Sequence, residues 1–154
     1  MPQLNFYWEK DEKRNKEVAE MKNILFLCKY NRFRSKVAED YFNRINKNPK
    51  LKAKSAGIIE GSPIDLTQKK ISKKLGIELK GKPKGVSTKL LKWQDIIVIV
   101  ANDVPPALFK DNKKYGKKLI VWKIPDAKED NESEIKRIVN SIKINVNNLV
   151  KGLK

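Results

Sequence analysis

A chain of 154 residues, 40% of them hydrophobic, can build one domain with its own core, and it has neither a run of the ~20 apolar residues that cross a bilayer nor a hydrophobic leader with a small-residue cleavage site. One cysteine and no histidine exclude an internal disulfide, histidine-based metal sites, and Ser–His or Cys–His catalysis, and a lone cysteine suits a reducing cytoplasm. The 35 Lys and Arg against 18 Asp and Glu leave a net charge of +17, which attracts anionic partners, yet the lysines are spread along the chain without interleaved aromatics, which argues against a nucleic-acid surface.

Residues 1–20 combine the aromatic cluster Phe6-Tyr7-Trp8 with a charge-dense stretch and read as an extension, so the compact domain is expected over 21–154. The apolar run 24–27 reads as a strand ending on Cys28. After the loop Lys29-Tyr30-Asn31-Arg32-Phe33 come Arg34 and Ser35, where a helical pattern begins. Val37, Ala38, Tyr41, Phe42 and Ile45 recur at helical spacing over 35–46, and Asn48-Pro49 ends that helix. Leu51–Gly57 alternates like a short strand closed by a turn. Ser62-Pro63 suits a cap and a first helical turn, with Ile64, Leu66, Ile71 and Leu75 as the inner face of a second helix ending at Gly76.

The basic segment 80–85, rich in Gly and Pro, reads as a flexible loop. Thr88–Trp93 suits a short helix, and 95–100 is an unbroken β-branched run fit for a central strand buried on both faces. A Pro105-Pro106 loop leads to a last strand, Lys118–Trp122. Ile124-Pro125-Asp126 turns out of that strand into a closing helix over 133–149, with Ile135, Ile138, Val139, Ile142 and Val146 facing inward. Strands alternating with helices imply a doubly wound α/β sheet of four parallel strands with helices on both faces. In such a sheet Cys28 and Asp126, each following a strand, lie at the same edge, where ligands bind.

A strand feeding a helix through a tight loop aims several backbone N–H groups at one point, in front of the positive end of the helix dipole. A phosphate-sized anion fits there, and the Arg34 guanidinium can clamp two of its oxygens. The same field favours a thiolate, which makes Cys28 a candidate nucleophile.

Cys28-x-x-Asn31-x-x-Arg34-Ser35, followed by Ser55-Ala56-Gly57, Gly61-x-Pro63, a buried strand ending near Asn102 and a late aspartate, resembles the low-molecular-weight protein tyrosine phosphatases. Thioredoxin-coupled arsenate reductases share that fold. The resemblance runs from residue 22 to about residue 150. It implies that Cys28 is the nucleophile and forms a phosphocysteine. Arg34 and the amides from Lys29 to Ser35 would hold the phosphoryl oxygens, and Ser35 would donate to the thiolate. Asn31, left-handed and supported by Ser55, would fix the loop. Asp126 would be the general acid and then the base that activates water, with Asp103 as the competing carboxylate. No metal or cofactor is implied, and the partners are a phosphorylated protein or small aryl phosphate, with phosphate, sulfate or vanadate fitting the loop.

The chain departs from the family pattern at Tyr30, commonly glycine, and at Phe33, often cysteine. Pro125-Asp126-Ala127 replaces an Asp-Pro-aromatic run, and Lys128 and Glu129 stand where a substrate-wall aromatic is expected, a wall that Tyr30 could supply. Three other functions share the strand-cysteine-loop logic: arsenate reduction with an external thiol, a non-enzymatic binder of phosphorylated or anionic partners, and a cysteine-phosphorylated carrier for sugar uptake.

Overall fold

The computed structural model describes residues 21–128 and 131–153, so the expected extension 1–20 and Glu129 lie outside the described residues. Four strands, β1 (Lys22–Cys28), β2 (Leu51–Gly57), β3 (Ile96–Val100) and β4 (Lys118–Trp122), pair in parallel in the order β2-β1-β3-β4. Four α-helices join them: α1 (Arg34–Ile45), α2 (Leu66–Lys74), α3 (Thr88–Trp93) and α4 (Glu132–Gly152). A 3₁₀ segment, Pro106–Tyr115, kinks at Phe109 and extends the expected proline loop. No helix among the described residues is long and apolar enough to cross a membrane.

Successive strand residues face opposite sides, so the central strands feed two cores. Ile24 and Phe26 of β1 and Ile96, Val98 and Val100 of β3 pack with Phe42 of α1, Ile71 of α2 and Ile135 to Val146 of α4. Leu25, Leu27, Ile97 and Ile99 face the other way, toward Leu90 of α3 and Phe109. Helical structure therefore covers both faces, as the alternation implies. Phe26 anchors the first core, edge-on to Phe42 at 5.9 Å and tilted against Trp122 at 6.0 Å.

The chain steps outward from β1 to β2 and returns across β1 to β3. Strand order thus reverses at the carboxyl end of β1, where open α/β sheets form their crevice. Cys28 is the last residue of β1, Asp103 follows β3, and Asp126 follows β4. One edge of the sheet gathers all three.

Three local expectations are corrected. The second helix is capped not by Ser62 but by Asp65, whose carboxylate accepts the Gln68 N–H at 2.9 Å and so satisfies one of the first-turn amides. With that start, Gln68, Ile71 and Ser72 turn inward, and Leu66, five residues and so about 140° before Ile71, is 79% exposed rather than internal. The end of the helix is as read: Gly76, at φ 80°, closes it with Gly76 N–H on the Lys73 carbonyl and Ile77 N–H on that of Ser72. Asp95 precedes β3 instead of joining it, and its carboxylate accepts the Asn23 N–H at 2.8 Å.

Segment 80–85 is tethered. Gly57 N–H donates to the Lys84 carbonyl and Val86 N–H to that of Gly57, at 2.8 and 2.7 Å. These bonds join the segment to the end of β2, next to the cysteine loop.

Candidate active site

The loop from Cys28 to Arg34 is held from behind. Carbonyls of Cys28 and Lys29 accept N–H groups of Ile58 and Ile59, each at 3.0 Å. A Cβ on Gly57 would lie 2.6 Å from the Tyr30 carbonyl carbon and 2.7 Å from the Asn31 nitrogen, and one on Gly61 would lie 2.6 Å from the Tyr30 oxygen. The two glycines let the following loop close against the cysteine loop. Asn31 adopts φ 56°, the described non-glycine residue with positive φ, a conformation asparagine tolerates better than most residues.

A directional hydrogen-bond chain fixes the side chains around the thiol. The Lys84 N–H, a donor only, meets Asn31 Oδ1 at 3.1 Å and so sets which end of the amide points where. Asn31 Nδ2 then donates to Ser35 Oγ at 2.8 Å and to Ser55 Oγ at 3.0 Å. Ser55 in turn donates a hydrogen bond to Glu39 Oε1 at 2.8 Å. Ser35 Oγ, accepting from Asn31, lies 3.0 Å from Cys28 Sγ and has its own proton to donate there when the sulfur is a thiolate. The Asn31 N–H also points at the sulfur, at 3.3 Å. Both donors suit a sulfur carrying negative charge. Asn31, Ser35 and Ser55 are all fully buried.

Arg34 opens α1, whose N-terminus has no side-chain cap and no acidic residue in its first turn. Its guanidinium is 2% exposed, with one nitrogen on the Ile124 carbonyl at 2.9 Å and another on Asp103 Oδ1 at 2.9 Å. Nε lies 3.8 Å from Asp126 Oδ1, so both candidate carboxylates flank the one arginine. Five N–H donors against these two hydrogen bonds leave Arg34 with donors for an incoming anion.

Cys28, Arg34 and Asp126 border one cavity of about 60 Å³, together with Tyr30, Arg32 and Phe33 of the loop and, from outside it, Gln68 and Ala127. Tyr30 is 37% exposed at its mouth. Lys29 sits beside it, with Nζ 5.2 Å from the Tyr30 ring centre. Arg32 donates to the Pro63 carbonyl at 3.0 and 3.2 Å. Phe33 is buried in the core and occupies the N-cap position. Asp103 does not border the cavity. Sequence reasoning did not single out Gln68, Ala127, Glu39 or the Lys84 amide; the spacing of Gln68 three residues before Ile71 was the available signal for the first.

The chain matches the family model described as low molecular weight phosphotyrosine protein phosphatase over residues 23–154. No curated protein matches it. Among solved structures it is similar to a low molecular weight protein tyrosine phosphatase from T. tengcongensis, at 22% identity and TM-score 0.73 over 85% of this chain and 99% of that one. It is also similar to the YwlE arginine phosphatase from Geobacillus stearothermophilus, at 20% identity and TM-score 0.72 over 86% and 92%. An arsenate reductase from Archaeoglobus fulgidus DSM 4304 shares 29% identity, with TM-score 0.64 over 83% and 98%. With the parallel sheet, the cysteine loop at its switch point and a match spanning nearly all of it, the chain belongs to the low molecular weight phosphotyrosine protein phosphatase family.

Proposed function

We propose that the protein is a phosphatase that hydrolyses phosphotyrosine or similar aryl phosphate monoesters through a phosphocysteine intermediate, without a metal. The reading is carried by one observation: Cys28, Arg34 and Asp126 share a small cavity in front of an uncapped helix start. In the first step the Cys28 thiolate attacks phosphorus in line with the ester oxygen. The P–S bond forms, the P–O bond breaks, and the departing phenolate takes the proton of Asp126. In the second step water attacks phosphorus, Asp126 accepts its proton, and the P–S bond breaks to return the thiolate and release phosphate. Arg34 and the loop amides would hold the equatorial oxygens as charge spreads onto them. Tyr30 would supply the wall for a substrate ring.

The test is turnover of an aryl phosphate in EDTA, with acid-quenched trapping of phosphocysteine. Wild type turning over, with trapped label absent from Cys28→Ala, supports the reading. Vanadate or phosphate binding without turnover overturns it in favour of a binding module. Arsenate reduction is the second reading, favoured by the 29% identity to the Archaeoglobus arsenate reductase. With one cysteine in the sequence, an external thiol would have to reduce the cysteine–arsenic adduct, so arsenite release with a small thiol, measured in parallel, separates the two.

A further inference from the structure

Lys36 is the third residue of α1 and only 5% exposed. A cation there is opposed twice, by desolvation and by the positive end of the helix dipole. Burial pushes its pKa below the ordinary 10.5, Glu39 pulls it back up, Lys84 adds to the lowering, and Cys28 raises it. Asp40, Arg44, Glu78 and Lys80 line the open hollow beside it together with Glu39. Its ammonium is spent on backbone: Nζ donates to the Lys80 carbonyl at 2.6 Å and reaches that of Lys82 at 3.5 Å. These carbonyls belong to the tethered segment whose other end is stitched to Gly57. Between the two anchors lies the Lys84 N–H, 3.1 Å from Asn31 Oδ1.

We propose that Lys36 is a positioning residue for the Cys28 loop: by clamping the backbone of 80–82 it holds the Lys84 N–H on Asn31, which keeps Asn31 left-handed and the Ser35 hydroxyl aimed at the sulfur. The inference rests on the proposed function for its meaning in turnover, but the loop geometry that it governs can be read without turnover. When the clamp is released, the Asn31 amide loses the bond that fixes its orientation. Ser35 then loses the donor that directs its own proton toward Cys28. Arg34 and its own partners are untouched, so its hold on the phosphoryl group survives while the hydroxyl that serves the nucleophile loses its aim.

Cys28 is the only thiol in the sequence, so its alkylation by iodoacetamide at neutral pH reports on the loop directly. The experiment compares wild type, Lys36→Met, Lys36→Arg, Lys84→Pro and the double variant Lys36→Met/Lys84→Pro as full-length chains, measuring alkylation rate, kcat, KM and thermal unfolding. Lys36→Met is expected to slow alkylation and lower kcat on the order of tenfold to a hundredfold, the range for a small misplacement of a reacting group, with a smaller rise in KM because Arg34 keeps its place while the loop amides shift. Lys36→Arg, which can still donate to carbonyls, restores most of both. Lys84→Pro, which removes the N–H while leaving Lys36 in place, reproduces the loss, and the double variant is no worse than the larger single change because both cut one path.

Wild-type alkylation and kcat in Lys36→Met overturn the proposal, as do fully additive losses. If Lys36→Met does not fold, Lys84→Pro decides: unchanged alkylation there overturns the path. If wild type does not hydrolyse phosphate esters, the phosphatase reading falls and the alkylation rates alone judge Lys36.

Discussion

Asp126 and Asp103 both flank Arg34, but they sit differently. Asp103 makes a direct 2.9 Å ion pair, while Asp126 stays 3.8 Å away with its side chain 53% exposed and borders the cavity. An acid must meet the leaving oxygen, so the cavity position favours Asp126, and the direct ion pair suits Asp103 to orienting Arg34. Asp126→Ala is therefore expected to slow phenyl phosphate, whose leaving group needs a proton, by roughly 10²–10⁴-fold, and p-nitrophenyl phosphate far less. Asp103→Ala should affect both substrates alike and raise KM, because it loosens the clamp. The reverse pattern in leaving-group dependence would move the acid to Asp103. Lys36 gives a second residue-scale expectation. Its pKa is lower folded than unfolded, so the unfolded state binds the extra proton in the window just below 10.5, and folding stability rises with pH there. The stability difference between wild type and Lys36→Met should drift across that alkaline window and level off above it, as pH-dependent urea unfolding would show. At this scale the sequence was legible where spacing was local: Cys28, Asn31, Arg34 and Ser35 lie within eight positions. Glu39 bonds Ser55 across 16 residues and the Lys84 amide bonds Asn31 across 53. Such pairs meet only once strand order is fixed, and a backbone N–H has no side-chain signature.

At the scale of elements, strands were the readable part. β3 is buried on both faces, and an unbroken apolar run suits that position where an alternating one does not, so its sequence betrays its place. In α2, Ser62-Pro63 and Asp65 are both plausible starts in one short stretch, and Leu66 shares apolar character with Ile71 but not its face, since five residues set the two about 140° apart whichever cap opens the helix. Segment 80–85 looked flexible because glycine and proline mark loops, while its tether comes from backbone bonds to Gly57 and from Lys36. The close approach of β2 to the cysteine loop carries a sharp expectation. At Gly57 a methyl group would meet backbone atoms of Tyr30 and Asn31 inside 2.8 Å, and backbone cannot swing aside as a side-chain tip can. Gly57→Ala is expected to cost about 1–3 kcal/mol of stability, as overpacking does, and to cut kcat by more than that cost implies for the folded fraction, since the displaced atoms belong to the loop around Cys28. Calorimetry paired with kcat on the still-folded protein checks it; an intact kcat would show that the loop tolerates the shift. Asp65→Ala, which removes only the α2 cap, should cost about 1 kcal/mol and leave kcat unchanged.

The whole molecule carries a charge of +17, and the question at that scale is whether the field of many lysines acts at the one cavity or merely keeps the protein soluble. Two sources of positive potential meet there and differ in how salt affects them. Arg34 is buried beside the thiol, where mobile ions screen little. Exposed lysines act across solvent, and their contribution fades once the Debye length falls from ~10 Å at 0.1 M salt to ~3 Å at 1 M. Alkylation of Cys28 by two reagents of similar shape separates them. Iodoacetate is an anion and iodoacetamide is neutral, so the ratio of their rates reads the potential at the sulfur. If the distributed charge steers anions, the ratio should be high in dilute buffer and fall several-fold by 1 M salt, with the residue that survives assigned to Arg34 and lost in Arg34→Gln. The same field should make kcat/KM for a dianionic aryl phosphate fall with salt while kcat holds, because steering changes encounter and not the bound complex. A ratio that salt leaves unchanged would mean that the lysines serve the surface alone and that Arg34 by itself recruits the substrate's charge.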